Sequence, residues 1–210
     1  VSSSYFITGT DTNVGKTVLS ALLCAALPAR YWKPIQTGAS EGTDRQQVVS
    51  WAEISGDHAL PETYIFDEPV SPHLAAEYAG TEVHLSRITV PEYGSTLSLI
   101  VEGAGGVLAP INSHQFMTDL MLHLKLPVIV AARSTLGTIN HTLLSLKALQ
   151  AAGIQVRGVV LIGPENPENR DAIEHFGKVG VVGQIPMLKN IDRQVLCDVF
   201  AKKFQQEAFL

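Results

Sequence analysis

Several short runs in this chain are apolar on successive residues rather than alternate ones, Val128-Ile129-Val130-Ala131-Ala132 being the plainest. A strand with that pattern has no face to give to water. Both faces must be covered, and a parallel sheet held between two helix layers does this. Six segments read as strands: Tyr5–Thr8, Tyr31–Ile35, Leu97–Glu102, Val128–Ala132, Val156–Ile162 and Gly180–Ile185. Helix-period stretches fall between and after them, at 15–27, 43–55, 72–79, 114–124, 138–152, 167–178 and 190–206. The repeated order predicts an α/β fold, a doubly wound and mostly parallel sheet with right-handed crossovers. Its ligands should gather beyond the carboxyl ends of the strands. Residues 56–72 are rich in turn formers and read as irregular. The 210 residues suffice for one such domain, so 1–210 is expected to be a single unit.

Gly9-Thr10-Asp11-Thr12-Asn13-Val14-Gly15-Lys16-Thr17 joins the first strand to the first helix. Strand, glycine loop and helix in that order form a phosphate cradle, because loop N–H groups and the positive end of the helix dipole face the anion. Thr10 stands where the usual pattern has its first glycine, and Gly9 lies one residue early. Asp11 to Val18 is the expected nucleotide-binding segment, with Lys16 reaching the β- and γ-phosphates and the Thr17 hydroxyl on Mg²⁺. The expected ligand is a nucleoside triphosphate.

Three more strand ends carry candidate chemistry. Lys33, in Lys33-Pro34-Ile35-Gln36-Thr37-Gly38, would bring a second cation beside the phosphate loop. On position alone it better suits a solvated lysine before a turn proline. Asp44 opens a helix, where a carboxylate commonly serves as a cap. Glu102 ends the apolar run Leu99-Ile100-Val101 and precedes Gly103-Ala104-Gly105-Gly106. A carboxylate there is the second metal-binding element of a phosphate-loop enzyme. Mg²⁺ prefers octahedral oxygen, commonly one or two carboxylates completed by phosphate and water. Thr17, Asp44 and Glu102 together meet that preference.

Composition excludes other classes. A formal net charge of −5 without a Lys/Arg-rich run argues against a nucleic-acid partner. Cys24 and Cys197 lie too far apart for a redox or zinc motif, and Cys24 falls in the apolar run of the first helix. No apolar run approaches the roughly 20 residues that span a bilayer, and the first residues have no signal-peptide pattern. A cytoplasmic enzyme with no membrane partner is the expectation. Ile191, Val195, Leu196, Val199, Phe200 and Phe204 recur at helical spacing, but the charges around them balance, which favours docking on the core over a membrane surface.

With these motifs in order, the chain closely resembles the dethiobiotin synthetase family. The carrying stretches are Gly9 to Thr17, Lys33-Pro34 to Thr37-Gly38, Pro69-Val70-Ser71-Pro72-His73 and Val101 to Gly106. Leu126-Pro127-Val128-Ile129-Val130 and Leu136-Gly137-Thr138-Ile139-Asn140-His141-Thr142 add to them. The resemblance implies a homodimer that closes the ureido ring of dethiobiotin from 7,8-diaminononanoate, carbon dioxide and ATP. It implies Lys16 and Lys33 as the catalytic cations. Thr12, Lys33, Thr37, Gly105 and Gly106 would lie on the diamine or its carbamate. Asn140 would bind the substrate carboxylate from the neighbouring subunit. His73 would belong to local structure near the site. His141, beside Asn140, suits simple packing better than a contact with the interface or substrate.

Two positions depart from the family pattern. Many members place an asparagine after the fifth strand candidate to read adenine, whereas this chain has Leu161-Ile162-Gly163-Pro164-Glu165-Asn166-Pro167. Backbone groups there and at Pro186, Met187 and Leu188 remain for the base, with Asn166 able to swing in, so weak discrimination among nucleoside triphosphates is expected. Asn13 stands where acidic residues are common. Two rivals share this loop. Synthetase halves of cobyrinate-type amidotransferases continue into a glutaminase domain, for which 210 residues leave no room. ATP-driven switches of the partition and division-site type carry a signature lysine where Asp11 stands.

Overall fold

The computed structural model describes residues 4–90 and 97–209. Seven strands form one sheet in the order β4-β2-β6-β1-β7-β8-β9, and every neighbouring pair is parallel. The strands are β1 (Tyr5–Gly9), β2 (Ala29–Trp32), β4 (Ala59–Leu60), β6 (Ser98–Glu102), β7 (Val128–Arg133), β8 (Val156–Ile162) and β9 (Val181–Ile185). A separate parallel pair joins β3 (Ile35–Gln36) to β5 (Tyr64–Ile65). The helices are α1 (Lys16–Ala26), α2 (Asp44–Ala52), α3 (Pro72–Tyr78), α4 (Met117–Leu124), α5 (Thr138–Ala151), α6 (Pro167–Gly177) and α7 (Arg193–Lys203).

The successive apolar residues of the inner strands divide between two cores. Phe6, Val101, Val128 and Val130 face a cluster with Ala75 and Ala76 of α3, Met117 and Leu120 of α4, Leu149 of α5 and Ile173 of α6. Tyr5, Ile7, Ile100, Ile129 and Ala131 face the other, with Leu19, Leu22 and Leu23 of α1, Val48 of α2, and Leu196 and Phe200 of α7. Each large side chain so buried stabilises the fold by roughly 1.5–3 kcal/mol. The last helix therefore docks: Phe200, Phe204 and Phe209 form an aromatic cluster that reaches the Tyr5 ring. Cys24 sits in the same core, where burial pushes its thiol far above the ordinary range. Among the described residues no helix is long and apolar enough to cross a membrane.

The centre of the sheet fixes where a ligand can lie. β1 pairs with β6 on one side and β7 on the other, so the chain winds outward in both directions from it. That reversal opens a crevice at the carboxyl end of β1.

Several expected boundaries shift. The strand expected at Tyr31–Ile35 instead runs Ala29–Trp32 and stops before Lys33-Pro34. Proline has no N–H to give the ladder, so the pairing with β6 ends before it. The chain then re-pairs as β3. Residues 56–72, expected to be irregular, hold β4 and β5. The helix expected from 114 begins at Met117, because the Asn112 side chain accepts from His114 and Gln115 N–H groups and holds a turn there. The expected 190–206 helix is Arg193–Lys203, opened by Asp192, whose carboxylate accepts from Val195 N–H.

Candidate active site

The loop between β1 and α1 holds its shape by its own bonds. Thr10 N–H donates to Ala131 O of β7 (3.0 Å), which seats the loop over the central strands. Asn13 and Gly15 take positive φ, 56° and 100°. Successive N–H groups thereby turn inward and make an anion-binding concavity. Gly15 precedes the first turn of α1, whose opening N–H groups have no partner within the helix. Glycine is required there twice over. A side chain would be strained at that φ, and a Cβ would lie 2.7 Å from Ile162 Cδ1. Val14 is buried, which pins the loop, while Asp11, Thr12 and Asn13 are exposed and Val18 is half-buried.

Lys16 folds back over the loop, its Nζ 3.0 Å from Asp11 O. Burial, with the neighbouring Lys33 charge, pushes its ammonium down to about 8 against the opposing pull of Glu102, Asp44 and Asp11. Arg133, at the end of β7, donates to Thr12 O at 3.1 Å and lies 3.7 Å from the Asp11 carboxylate.

The four residues singled out at the strand ends converge. The Thr17 hydroxyl lies 2.8 Å from Asp44 Oδ1 and 3.0 Å from Glu102 Oε1. Lys33 Nζ pairs with Asp44 Oδ2 and lies 3.3 Å from Glu102 Oε1. Lys33 and Glu102 are almost wholly buried, so the solvated reading of Lys33 fails. Burial alone would lower the Lys33 ammonium, but Glu102 and Asp44 outweigh it and hold the group above the ordinary lysine range. For Asp44, burial alone would raise the carboxyl. The Lys33 charge outweighs this and, with hydrogen bonds from Lys33, Thr17 and Gln36, holds it below the usual range.

Asp44 is free for this because it does not cap its helix. Thr43 does, accepting from Gln46 N–H (3.2 Å) while the Gln46 side chain accepts from Thr43 N–H (3.0 Å). The Asp44 N–H donates instead to Gln36 Oε1 at 3.1 Å, and Gln36 Nε2 donates to Thr37 O at 2.7 Å. The buried Gln36 therefore ties the strand that follows Lys33 to the start of α2.

A cation fits this cluster. Two carboxylates and a hydroxyl present hard oxygens around one point, and the cluster already binds one positive group, Lys33. No group of three or more His, Cys, Asp or Glu side chains occurs among the described residues. The donor set is thus short of a complete protein cage and suits Mg²⁺, which keeps water and phosphate oxygens as its other ligands.

Other expected residues surround the loop. Gly105 (φ 69°) and Gly106 pass beside it: a Cβ at Gly106 would lie 3.5 Å from Gly9 O and Thr10 O, and one at Gly105 3.9 Å from Thr12 Oγ1. Thr37 is half-buried just after β3. Asn140 is exposed in the first turn of α5, and none of the hydrogen bonds among the described residues ties its side chain to the cluster. His73 bonds Ser71 Oγ through Nδ1 (2.9 Å), a local contact at the start of α3.

At the base end, Asn166 is occupied as the N-cap of α6, accepting from Asn169 N–H at 2.8 Å. It does not swing toward the loop. Both backbone groups of Gly163 are also used, N–H to Ile185 O and C=O from Gln184 Nε2, each at 2.9 Å. Pro186, Met187 and Leu188 follow β9 at the surface, with Met187 exposed.

Sequence reasoning missed Tyr31, whose hydroxyl donates to Glu102 Oε2 at 3.1 Å, as well as Gln36 and Arg133. The signal for Tyr31 was its place two residues before Lys33, with Glu102 two residues after the neighbouring strand's Ile100.

Known proteins resemble this chain in sequence and in fold. A family model described as an AAA domain matches residues 3–195. The ATP-dependent dethiobiotin synthetase BioD of Novosphingobium aromaticivorans is 42% identical over 207 residues, covering 99% of each chain. That of Brucella ovis is 42% identical over 209 residues, covering 100% of this chain and 98% of its own. The biotin biosynthesis bifunctional protein BioCD of Bordetella avium is 47% identical over 199 residues, 94% of this chain and 42% of that one. Among solved structures, a ParA family ATPase from Chlorobium tepidum gives a TM-score of 0.50 at 11% identity, covering 96% of this chain and 93% of that one. The MinC:MinD complex of Aquifex aeolicus gives 0.51 at 14% identity, covering 94% and 86%. At such identities the structural likeness speaks for the P-loop fold alone. The two synthetases that match end to end decide the rest: the chain belongs to the ATP-dependent dethiobiotin synthetases, ligases of biotin biosynthesis.

Proposed function

We propose that the chain forms one P-loop domain, works as a homodimer, and closes the ureido ring on 7,8-diaminononanoate at the crevice between β1, β2 and β6. The observation that carries this reading is the buried convergence of Thr17, Lys33, Asp44 and Glu102 beside the phosphate loop.

One substrate amine takes up carbon dioxide, losing a proton to become a carbamate. A carbamate oxygen attacks the γ-phosphorus and ADP leaves. The second amine then attacks the carbamic-phosphoric anhydride, phosphate leaves and a proton is lost as the ring closes. The protein supplies position and charge for these steps. The loop N–H groups and Lys16 bind the phosphates, with Asp11 to Val18 around them and Pro186 to Leu188 at the base. Lys33, fully charged and held at the strand end, neutralises the carbamate and the transferring phosphoryl group. Thr12, Thr37, Gly105 and Gly106 line the reacting end of the diamine. Asn140, exposed in the first turn of α5, binds the substrate carboxylate across the dimer. Thr17, Asp44 and Glu102 would hold Mg²⁺, which supplies Lewis-acid neutralisation of the β- and γ-phosphate oxygens.

The test is ADP release measured with and without the diamine and bicarbonate. The expected result is release that needs Mg²⁺ and both substrates and that collapses in Lys33→Ala. Release indifferent to the diamine would overturn the reading in favour of a bare P-loop ATPase.

A further inference from the structure

Glu102 uses its two oxygens for different purposes. Oε1 faces Thr17 and Lys33, whereas Oε2 accepts from Tyr31 alone among the bonds found at the described residues. The sheet register explains why. Tyr31 of β2 stands opposite Ile100 of β6, so Glu102, two residues on, is its diagonal neighbour on the same face. The tyrosine side chain spans the gap between them, its hydroxyl 3.1 Å from Glu102 Oε2. The Tyr31 ring is wholly buried in the core beneath α1, in the cluster with Ile7, Leu19 and Cys24, so its hydroxyl has one place to be.

The geometry points to Tyr31 as the residue that makes Glu102 a one-oxygen ligand and so favours Mg²⁺ over Ca²⁺ at this site. The inference rests on the reading of Thr17, Asp44 and Glu102 as the metal set. A carboxylate whose second oxygen is held by a fixed donor cannot rotate to present both. Mg²⁺ asks for single oxygens at near-octahedral positions. Ca²⁺ accepts more ligands, at longer distances, and takes carboxylates with both oxygens. Tyr31 is a positioning residue, acting through Glu102 without touching substrate.

The experiment replaces Tyr31 by Phe and reads binding, not turnover. The Kd of β,γ-imido-ATP is measured by calorimetry in saturating Mg²⁺ and, separately, in saturating Ca²⁺, for parent and variant. The expected result is a Ca²⁺-to-Mg²⁺ affinity ratio that rises about tenfold in the variant, the scale of one charge-assisted hydrogen bond. A purely structural role for Tyr31 would weaken both metal complexes together and leave the ratio unmoved. A folded variant with an unchanged ratio overturns the proposal. 4-Fluorophenylalanine at position 31 fills the hydroxyl's volume without a donor, and carries the same expectation should the phenylalanine chain not fold. If the parent itself binds the nucleotide equally well with and without divalent metal, the metal reading fails, and that outcome is distinct from an unchanged ratio.

Discussion

Nucleotide affinity should weaken as pH rises past about 8, because Lys16 loses its proton there. Burial lowers its ammonium from 10.5 to about 8, and a phosphate-bound lysine must be charged. In the free protein at about pH 9, about one Lys16 in ten keeps its proton. Binding must then take up a proton, and affinity drops about tenfold, or about 1.4 kcal/mol, relative to about pH 7. Neither Lys33 nor Tyr31 contributes, since both are shifted above their ordinary values and stay protonated through this window. The assay is calorimetry of Mg·ADP binding at about pH 7, 8 and 9, in buffers of different ionisation enthalpy so that protons are counted. Expected are near-zero uptake at the low end and nearly one proton at the high end. Lys16→Arg, whose charge is permanent, should bind more weakly at every pH but show no slope. An affinity flat from pH 7 to about pH 9 in the parent would refute the reasoning, as would an equal slope in the arginine variant. The sign for stability is that of the usual carboxylate case, a folded-state pKa below the unfolded one, and the reverse of a lysine raised by a partner. The folded chain binds the Lys16 proton less tightly than the unfolded one, so stability without ligand gains from this group as pH rises from about 8 towards 10.5.

Two further outcomes follow from the cluster and the base end. Lys33→Met leaves Asp44 and Glu102 as adjacent anions without their cation, and melting should show a loss of about 3–5 kcal/mol that added Mg²⁺ largely restores; equal melting with and without metal would contradict it. With Ile162 packed on Gly15 and Asn166 committed to α6, ATP, CTP and GTP should differ in kcat/KM by less than about 100-fold, or about 2.7 kcal/mol. Steady-state comparison of the three donors checks this, and a larger preference for ATP would show a base contact that these residues do not supply.

The parts of the fold legible in the sequence were those where one physical requirement acts alone. Unbroken apolar runs such as Val128–Ala132 demand burial on both faces, and the glycine loop between Ile7 and Val18 demands a strand before and a helix after. Two-residue strands carry no such signature. Ala59–Leu60 and Tyr64–Ile65 are strands because β2 and β3 lie alongside them, a fact of tertiary contact. The candidate site was readable where chemistry restricts the residue type, as at Lys16, Thr17, Lys33, Asp44 and Glu102. Asp44 stayed ambiguous because a helix-opening carboxylate has two uses, and the Thr43–Gln46 pairing removes one of them, the cap. Tyr31 escaped because its role depends on the β2–β6 register, which neither strand encodes by itself.

Helix α2 buries Val48 and Ala52 and rests Val49 and Trp51, half-buried, against the same core. Polar bonds fasten it further at its two ends. Asp44 is bound to Lys33, Thr17 and Gln36 at one end, and Ala52 O accepts from Arg193 at the other. A group seated between Thr17, Asp44 and Glu102 would thus act as a rivet through three separate segments of the chain. Loading the site and stiffening α2 become one event, visible as slowed amide exchange across residues 44–52, and an exchange rate there indifferent to Mg·ADP would show the helix standing on its own.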